Sequence, residues 1–268
     1  MLKNFLNPTT YYLGLFHIVP LAAFFLPISL IDWIVCISLY FIRIFFIGAG
    51  YHRYFAHKTY KTSRLVQFIL AFCSQTAMQG GVVWWASHHR KHHINSDTIK
   101  DVHSPKQKGL FFAHIGWLME GKCSKTDKAV VKDLTKYPEL MFLDKLHMLP
   151  GIILATGLYL YGGLSMLIVG FFLSTLLVLH GTWTINSLMH TWGVQRYKTT
   201  DTSRNNLILA IITMGEGWHN NHHHYQNSTR QGFFWYEFDP TFYILKTLSY
   251  TKIIWKLNPV PQKVKDNF

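Results

Sequence analysis

Residues 148–187 read MLPGIILATGLYLYGGLSMLIVGFFLSTLLVLHGTWTINS, a stretch without a single Asp, Glu, Lys or Arg. A helix needs about 20 predominantly apolar residues to cross the hydrocarbon core of a bilayer. This stretch is twice that long and softens at Tyr161-Gly162-Gly163, so it predicts a helical hairpin. A second apolar block, Tyr11 to Gly50, is interrupted near Pro27-Ile28-Ser29 and at Asp32 and predicts another. The expected fold is all-α: an integral membrane protein with four transmembrane helices in two hairpins, at about 11–29, 31–50, 148–166 and 168–188. A cytoplasmic helical cap, from about 51–147 and 189–268, completes a single domain covering residues 1–268.

The polar remainder fixes the orientation. Of 26 Lys and Arg, fifteen fall in residues 51–147 and nine in 190–268, leaving Lys3 and Arg43. Basic residues mark the cytoplasmic side, so both termini and both polar blocks are expected there, in a multi-pass protein of a bacterial plasma membrane. The net charge of +13 is therefore read as a membrane-facing property. No basic run is interleaved with stacking aromatics, so nucleic acid is not an expected partner. With 49% hydrophobic and 15% charged residues, the chain is not disordered. Cys36, Cys73 and Cys123 lie far apart without a CxxC pair and are read as free thiols. A single Lys3 before a long apolar stretch makes a cleaved signal peptide a poor reading. Leu65 to Ala86 is apolar enough to suggest a fifth span, but Gln67, Ser74, Gln75, Thr76 and Gln79 make it amphipathic. It is expected to lie at the interface or re-enter it. Residues 207–214 are too short to span, and Phe233 to Trp255 is expected along the interface.

Histidine is in surplus: 16 against 13 Asp and Glu. Three clusters stand out, His52-Arg-Tyr-Phe-Ala-His57, His89-Arg-Lys-His92-His93 and His219-Asn-Asn-His222-His223. On a helix, positions i, i+3 and i+4 share a face, so each HxxHH box is expected to present three imidazoles to one point. An i, i+5 pair shares no α-helical face, so His52 and His57 require a helix end or a turn. Imidazole suits Zn, Cu, Fe and Ni, and one tetrahedral zinc takes only three or four ligands. Eight histidines thus imply two metals or a metal-buffering surface. The boxes lack the Glu of a zinc peptidase.

The ordered set HRYFAH, HRKHH and HNNHH, with two apolar hairpins, resembles the membrane fatty-acid desaturases, and most closely the stearoyl-CoA desaturase-like branch. Gly109-Leu-Phe-Phe-Ala-His-Ile-Gly-Trp117, Asn186-Ser-Leu-Met-His190 and Gly215-Glu-Gly-Trp-His219 support the resemblance, which covers about residues 12–235. It implies an oxygen-dependent enzyme that introduces the first cis double bond, at the Δ9 position, into a saturated acyl chain. The implied cofactor is a pair of Fe ions with O2 as co-substrate, held by His52, His57, His89, His92, His93, His190, His219, His222 and His223, with Asn186 acting through water. No side chain is assigned a catalytic role beyond this centre.

The resemblance also places Gln79, Trp85, Thr182 and Trp183 around the acyl tunnel, although each Trp is equally readable as an interfacial aromatic. Lys106 and Lys108 match the basic stretch that binds coenzyme A, or are a solvated pair. Glu216, three residues before His219, is expected to orient an imidazole, as are Asp97 and Asp101. His88 and His224 are off-register, and His17, His103, His114, His147 and His180 are expected to be packing or surface residues. His180 has a second reading as a tunnel-lining group. The expected partners are a fatty acyl thioester or acyl lipid, the bilayer, and a separate electron donor, a ferredoxin or a b-type cytochrome with its reductase. The alternative readings are another histidine-box oxygenase (a lipid or carotenoid hydroxylase, or an alkane monooxygenase) or a non-catalytic metal- or haem-binding membrane protein.

Overall fold

The computed structural model describes residues 7–121 and 125–267; Lys3 and Cys123 lie outside the described residues. The chain is mostly helical. Helix α1 (Pro8–Ile18) starts where the Asn7 side chain accepts from Thr10 N at 3.1 Å. It gives way at Val19, which keeps αR dihedrals (φ -58°, ψ -39°), just before Pro20, whose ring nitrogen has no N–H to continue the α-helical ladder. A 3₁₀ segment, Val19–Phe25, carries the chain on. Helix α2 (Leu30–Phe46) opens with a capping box between Ser29 and Asp32, so the acid that interrupts the first apolar block is a helix start.

Among the described residues two helical runs are long and apolar enough to cross a membrane, Leu30–Ala56 and Leu149–His190. The N-terminal segment expected as the first of four spans does not form one such run, since it changes from α to 3₁₀ at Val19. The second run is broken: within the helix Leu149–Ser165, Gly162 and Gly163 leave helical dihedrals, Gly163 with φ 69°. Ile152, Ala155 and Tyr159 before the break face Leu167 and Phe171 beyond it across one apolar groove, so the chain folds back there.

Helix α2 continues as a π-helix, Ile47–Ala56. Its i→i+5 bonds place residues five apart on one face, and His57 N donates to His52 O at 3.1 Å. That is how the HxxxxH pair converges, with His57 standing at the helix end that the sequence reading calls for. Gly50 makes the packing possible, since a Cβ there would lie 2.3 Å from Ser74 Oγ.

The stretch 65–86 forms two helices, α3 (Arg64–Gln75) and α4 (Val82–Asn95). Helix α3 packs with its polar side inward. Gln67, Ser74 and Gln75 are buried while Leu65 and Ile69 are exposed. Gln75 Nε2 donates to Leu143 O, its Oε1 accepts from Val82 N, and Ser74 Oγ donates to Phe46 O. Helix α4 starts at Gly81, which has no side chain to cap it. The Asp144 carboxylate of α5 (Pro138–Lys145) accepts from Val83 N and Trp84 N at 2.8 and 2.9 Å instead. A Cβ on Gly81 would stand 2.1 Å from that carboxylate, so glycine is what lets α5 cap α4.

The long C-terminal run contains a π-helical segment, Met166–Leu173, then α6 (Ser174–Asn186) and a 3₁₀ turn, Leu188–His190. Helix α7 (His219–His224) carries the third histidine box, and α8 (Pro240–Tyr250) leads to β2 (Ile254–Trp255), which pairs antiparallel with β1 (Lys61–Thr62). Around the π-helix, Tyr51, Phe55 and Tyr60 pack with Ala71, Val82, Val83, Ala86, Leu140 and Leu143 in the main core.

Candidate metal centre

The histidines gather into two groups suited to hold a metal ion, with the ligand atoms of each group within 4.8 Å of one another. The first joins His52 and His57, His89 and His93 of α4, and His222 of α7. Its Nε2 atoms run as a chain: His52 to His222 at 3.0 Å, His222 to His93 at 2.9 Å, His93 to His89 at 3.0 Å and His89 to His57 at 2.8 Å. The second joins His92, His190, His219 and His223, with His190 and His219 Nε2 atoms 3.2 Å apart. Neither HxxHH box points all three imidazoles at one position, as the sequence reading expects. On an α-helix i+3 and i+4 differ by about 100°, so each box straddles the two groups.

Carboxylates stand behind the imidazoles. His52 Nδ1 bonds Glu216, His92 Nδ1 lies 3.1 Å from Asp101, His190 Nδ1 is 3.2 Å from Asp97, and His223 Nδ1 is 2.5 Å from Asp201. A carboxylate accepts, so in each neutral ring Nδ1 carries the proton and Nε2 keeps its lone pair toward the group. Burial raises the pKa of these acids, but bonding outweighs it. Asp97 is held well below the usual range by His190, Ser104 and Thr202, Asp101 by His92, and Asp201 by His223 and Ser203. Glu216 is held at about 2 by His52 and Arg53. Burial and neighbouring imidazoles drive His57, His89, His93, His219 and His222 well below the ordinary histidine value, and His223 to about 4. All are therefore neutral bases near pH 7.

This donor set fits a pair of transition-metal ions. The Nε2 atoms converge to 2.8–3.2 Å, the carboxylate-bonded rings aim their Nε2 lone pairs into the groups, and the buried His223 Nε2 has no hydrogen-bond partner. At a metal–nitrogen distance of about 2.1 Å, ligands at right angles stand about 3.0 Å apart and tetrahedral ones about 3.4 Å. The short edges of 2.8–3.2 Å are of the size that nitrogen ligands around one metal ion would give.

Next to the first group lies a cavity of about 630 Å³ lined by Gln79, Trp85, Thr182, Trp183 and Asn186, together with His89 itself. Gln79 Nε2 donates to Thr182 Oγ1 at 2.9 Å, and Trp85 stacks on His89 at 4.8 Å. Lys106 and Lys108 are exposed and do not line it; Lys108 Nζ pairs with Glu120 at 3.3 Å.

A fatty acid desaturase family model matches residues 28–253, which span every element of this site. The chain belongs to the fatty acid desaturase family. Among curated desaturases it is 38% identical to the sn-1 stearoyl-lipid 9-desaturase of Anabaena variabilis, covering 91% of this chain and 90% of that one. It is also 38% identical to the acyl-CoA C20 Delta5-desaturase of Anemone leveillei, over 81% of this chain and 70% of that protein. With the icosanoyl-CoA 5-desaturase of Limnanthes douglasii it shares 39% identity over 74% of its own length but only 56% of the relative's.

Several residues of this desaturase-family chain stand where the sequence reading did not put them. His103, expected in packing or at the surface, is buried against the His92 ring at 4.4 Å and lines the cavity, as do His88 and His147. His103 also belongs to a third close group with His92 and Asp101. His224 stacks on Tyr197 at 4.1 Å, outside both imidazole groups. The residues sequence reasoning missed are Asp201, Arg53 and Asp239. Arg53 is buried and bridges Glu216 and Asp239, at 2.9 Å from each. The signal for Asp201 was scarcity, since each of only 13 carboxylates in a basic chain is a candidate partner for a buried imidazole.

Proposed function

We propose that this chain is an oxygen-dependent desaturase that introduces the first cis double bond, at Δ9, into a saturated fatty acyl chain. The observation that carries the reading is His89, which belongs to the five-imidazole group and also lines the cavity. An acyl chain lying in that cavity passes directly beside the proposed metal centre. In this reading nine imidazoles hold two Fe ions, five on one and four on the other, with Asn186 reaching one of them through water. The iron pair supplies O2 activation: two hydrogens of the chain, two external electrons and two protons leave with O2 as two waters.

The protein's own part is placement. Trp85 and Trp183 form walls, Gln79 and Thr182 a hydrogen-bonded corner, and the buried surround keeps water from the reacting carbons. Proteins named for 5- and 9-desaturation are both among those similar to this chain. The Δ9 assignment draws support from the Anabaena protein, whose match covers nine-tenths of both chains. The substrate is an acyl thioester or acyl lipid, and Lys106 and Lys108 are the side chains available to a phosphorylated carrier. A separate ferredoxin or b-type cytochrome with its reductase supplies the electrons to the basic face. The whole chain works as one domain with four crossings of a bacterial plasma membrane and the metal site on the cytoplasmic side.

The test is expression in a host lacking desaturation, with a competent donor present and lipids analysed by mass spectrometry. A new monounsaturated chain with its double bond at Δ9 is expected. A hydroxylated product, or none from iron-loaded protein, would sink the desaturase reading.

A further inference from the structure

Three histidines outside both imidazole groups form a file of their own. His17 of α1 has its Nδ1 2.7 Å from Leu13 O, and its Nε2 3.1 Å from His180 Nε2 of α6. His180 Nδ1 is 3.0 Å from His114 Nε2, in the π-helical turn Phe112–Gly116, and His114 Nδ1 is 2.9 Å from Ser187 Oγ. The Leu13 carbonyl can only accept, and that fixes the direction of the whole file. His17 carries its proton on Nδ1, so His180 donates from Nε2 and His114 donates from Nε2 to His180, while the Ser187 hydroxyl at the far end lies within reach of both His114 Nδ1 and the Trp183 carbonyl, at 2.9 and 2.8 Å.

The file encloses one side chain. The Trp183 indole, 3% exposed and lining the main cavity, lies parallel to His17 at 6.4 Å and edge-on to His180 at 5.1 Å and to His114 at 5.7 Å. The three imidazoles come from three separate elements, so the file ties α1, α6 and the 112–116 turn together around the indole. A phenyl or aliphatic cluster would pack an indole equally well but would not fix the distance between those elements. Directional bonds at 3.0–3.1 Å do.

We propose that His17, His180 and His114 are positioning residues that set how far Trp183 projects into the cavity, and thereby which carbon pair of the acyl chain faces the metal centre. The inference rests on the reading that this cavity holds the chain. Selecting one pair over its neighbour demands ångström-scale placement, and a misplacement of about 1 Å costs on the order of 10²-fold in rate. Loosening the indole therefore spreads the double bond over adjacent positions.

The experiment uses the full chain in the same desaturation-deficient host, with double-bond positions mapped by mass spectrometry and iron measured on purified protein. Wild-type protein is analysed first; if it makes no unsaturated chain, the functional reading fails before the positioning question arises. With a single wild-type isomer, His180→Leu is expected to raise the share of adjacent isomers about tenfold, corresponding to about 1.4 kcal/mol of lost discrimination, with iron content unchanged. His180→Gln, whose amide both donates and accepts, is expected to restore much of the selectivity. If His180→Leu does not accumulate, His17→Leu breaks the same file at its half-buried end and takes its place. A slower enzyme with an unchanged isomer ratio would reduce the file to packing and overturn the proposal.

Discussion

His190 and Asp97 meet at 3.2 Å across 93 residues of sequence, and the same Asp97 carboxylate accepts from Thr202 N, Thr202 Oγ1 and Ser104 Oγ. The acid thus orients an imidazole of the second group and pins two loops to it. Its backbone has φ 57°, a region where Asp and Asn are enriched. Asp97→Asn therefore keeps the backbone while removing the anion. The variant is expected to bind metal about 10- to 100-fold more weakly, read as metal content after dialysis against graded chelator. Wild-type retention would show that the carboxylate only holds the loops.

The two groups can be emptied separately. His222 belongs to the first group and His92 to the second. His222→Ala and His92→Ala are each expected to lower bound metal from two ions to about one per chain, and both to abolish desaturation. His224→Ala, stacked on Tyr197, should retain both ions. Metal stoichiometry by mass spectrometry is the measurement, and equal loss in all three variants would refute the grouping.

Arg53 is buried between Glu216 and Asp239. Replacing it with Met leaves two buried carboxylates without their cation, a loss of about 3–5 kcal/mol. In a chain of this size that lowers Tm by roughly 2–4 °C per kcal/mol. A thermal shift assay in detergent should show it, and a Tm within two degrees or so of wild type would mean that His52 and Gln231 suffice.

Acid should unfold the metal-free protein earlier than its carboxylates alone would dictate. Burial lowers His223 to about 4 and His103 to about 3 in the folded state, against about 6.5 unfolded. Below that unfolded value the unfolded chain binds more protons, so stability falls as pH drops from 6.5 toward the folded values. Asp201, bonded to His223, and Asp101, bonded to His92 and 3.7 Å from His103, have lowered folded pKa values; their contribution is present above about pH 3.9 and fades only below it. Chemical denaturation of the apo-protein between pH 7 and 5 should therefore give decreasing stability, and a flat profile would contradict the neutral burial of the imidazoles.

The sequence carried the two long apolar runs that end in Ala56 and His190, the three histidine boxes and the acids at 97, 101 and 216, because each is written in local composition or spacing. The π-helix was not legible, since it depends on Gly50 meeting Ser74 of another helix. The inward polar face of α3 was equally hidden. Its partners are the Leu143 carbonyl, Val82 N and the Phe46 carbonyl, which only the folded chain brings near. The division of each box between two groups follows from helical rotation, but which imidazole goes where is settled by the position of the second helix.

That division has a mechanical consequence. Helix α4 gives His89 and His93 to one group and His92 to the other, while α7 gives His222 to the first and His219 and His223 to the second. Two rigid crossbars therefore bridge both positions, and the gap between them is gauged by the pitch of a helix. No loop motion can widen that gap, and only unwinding a crossbar would let the pair drift apart.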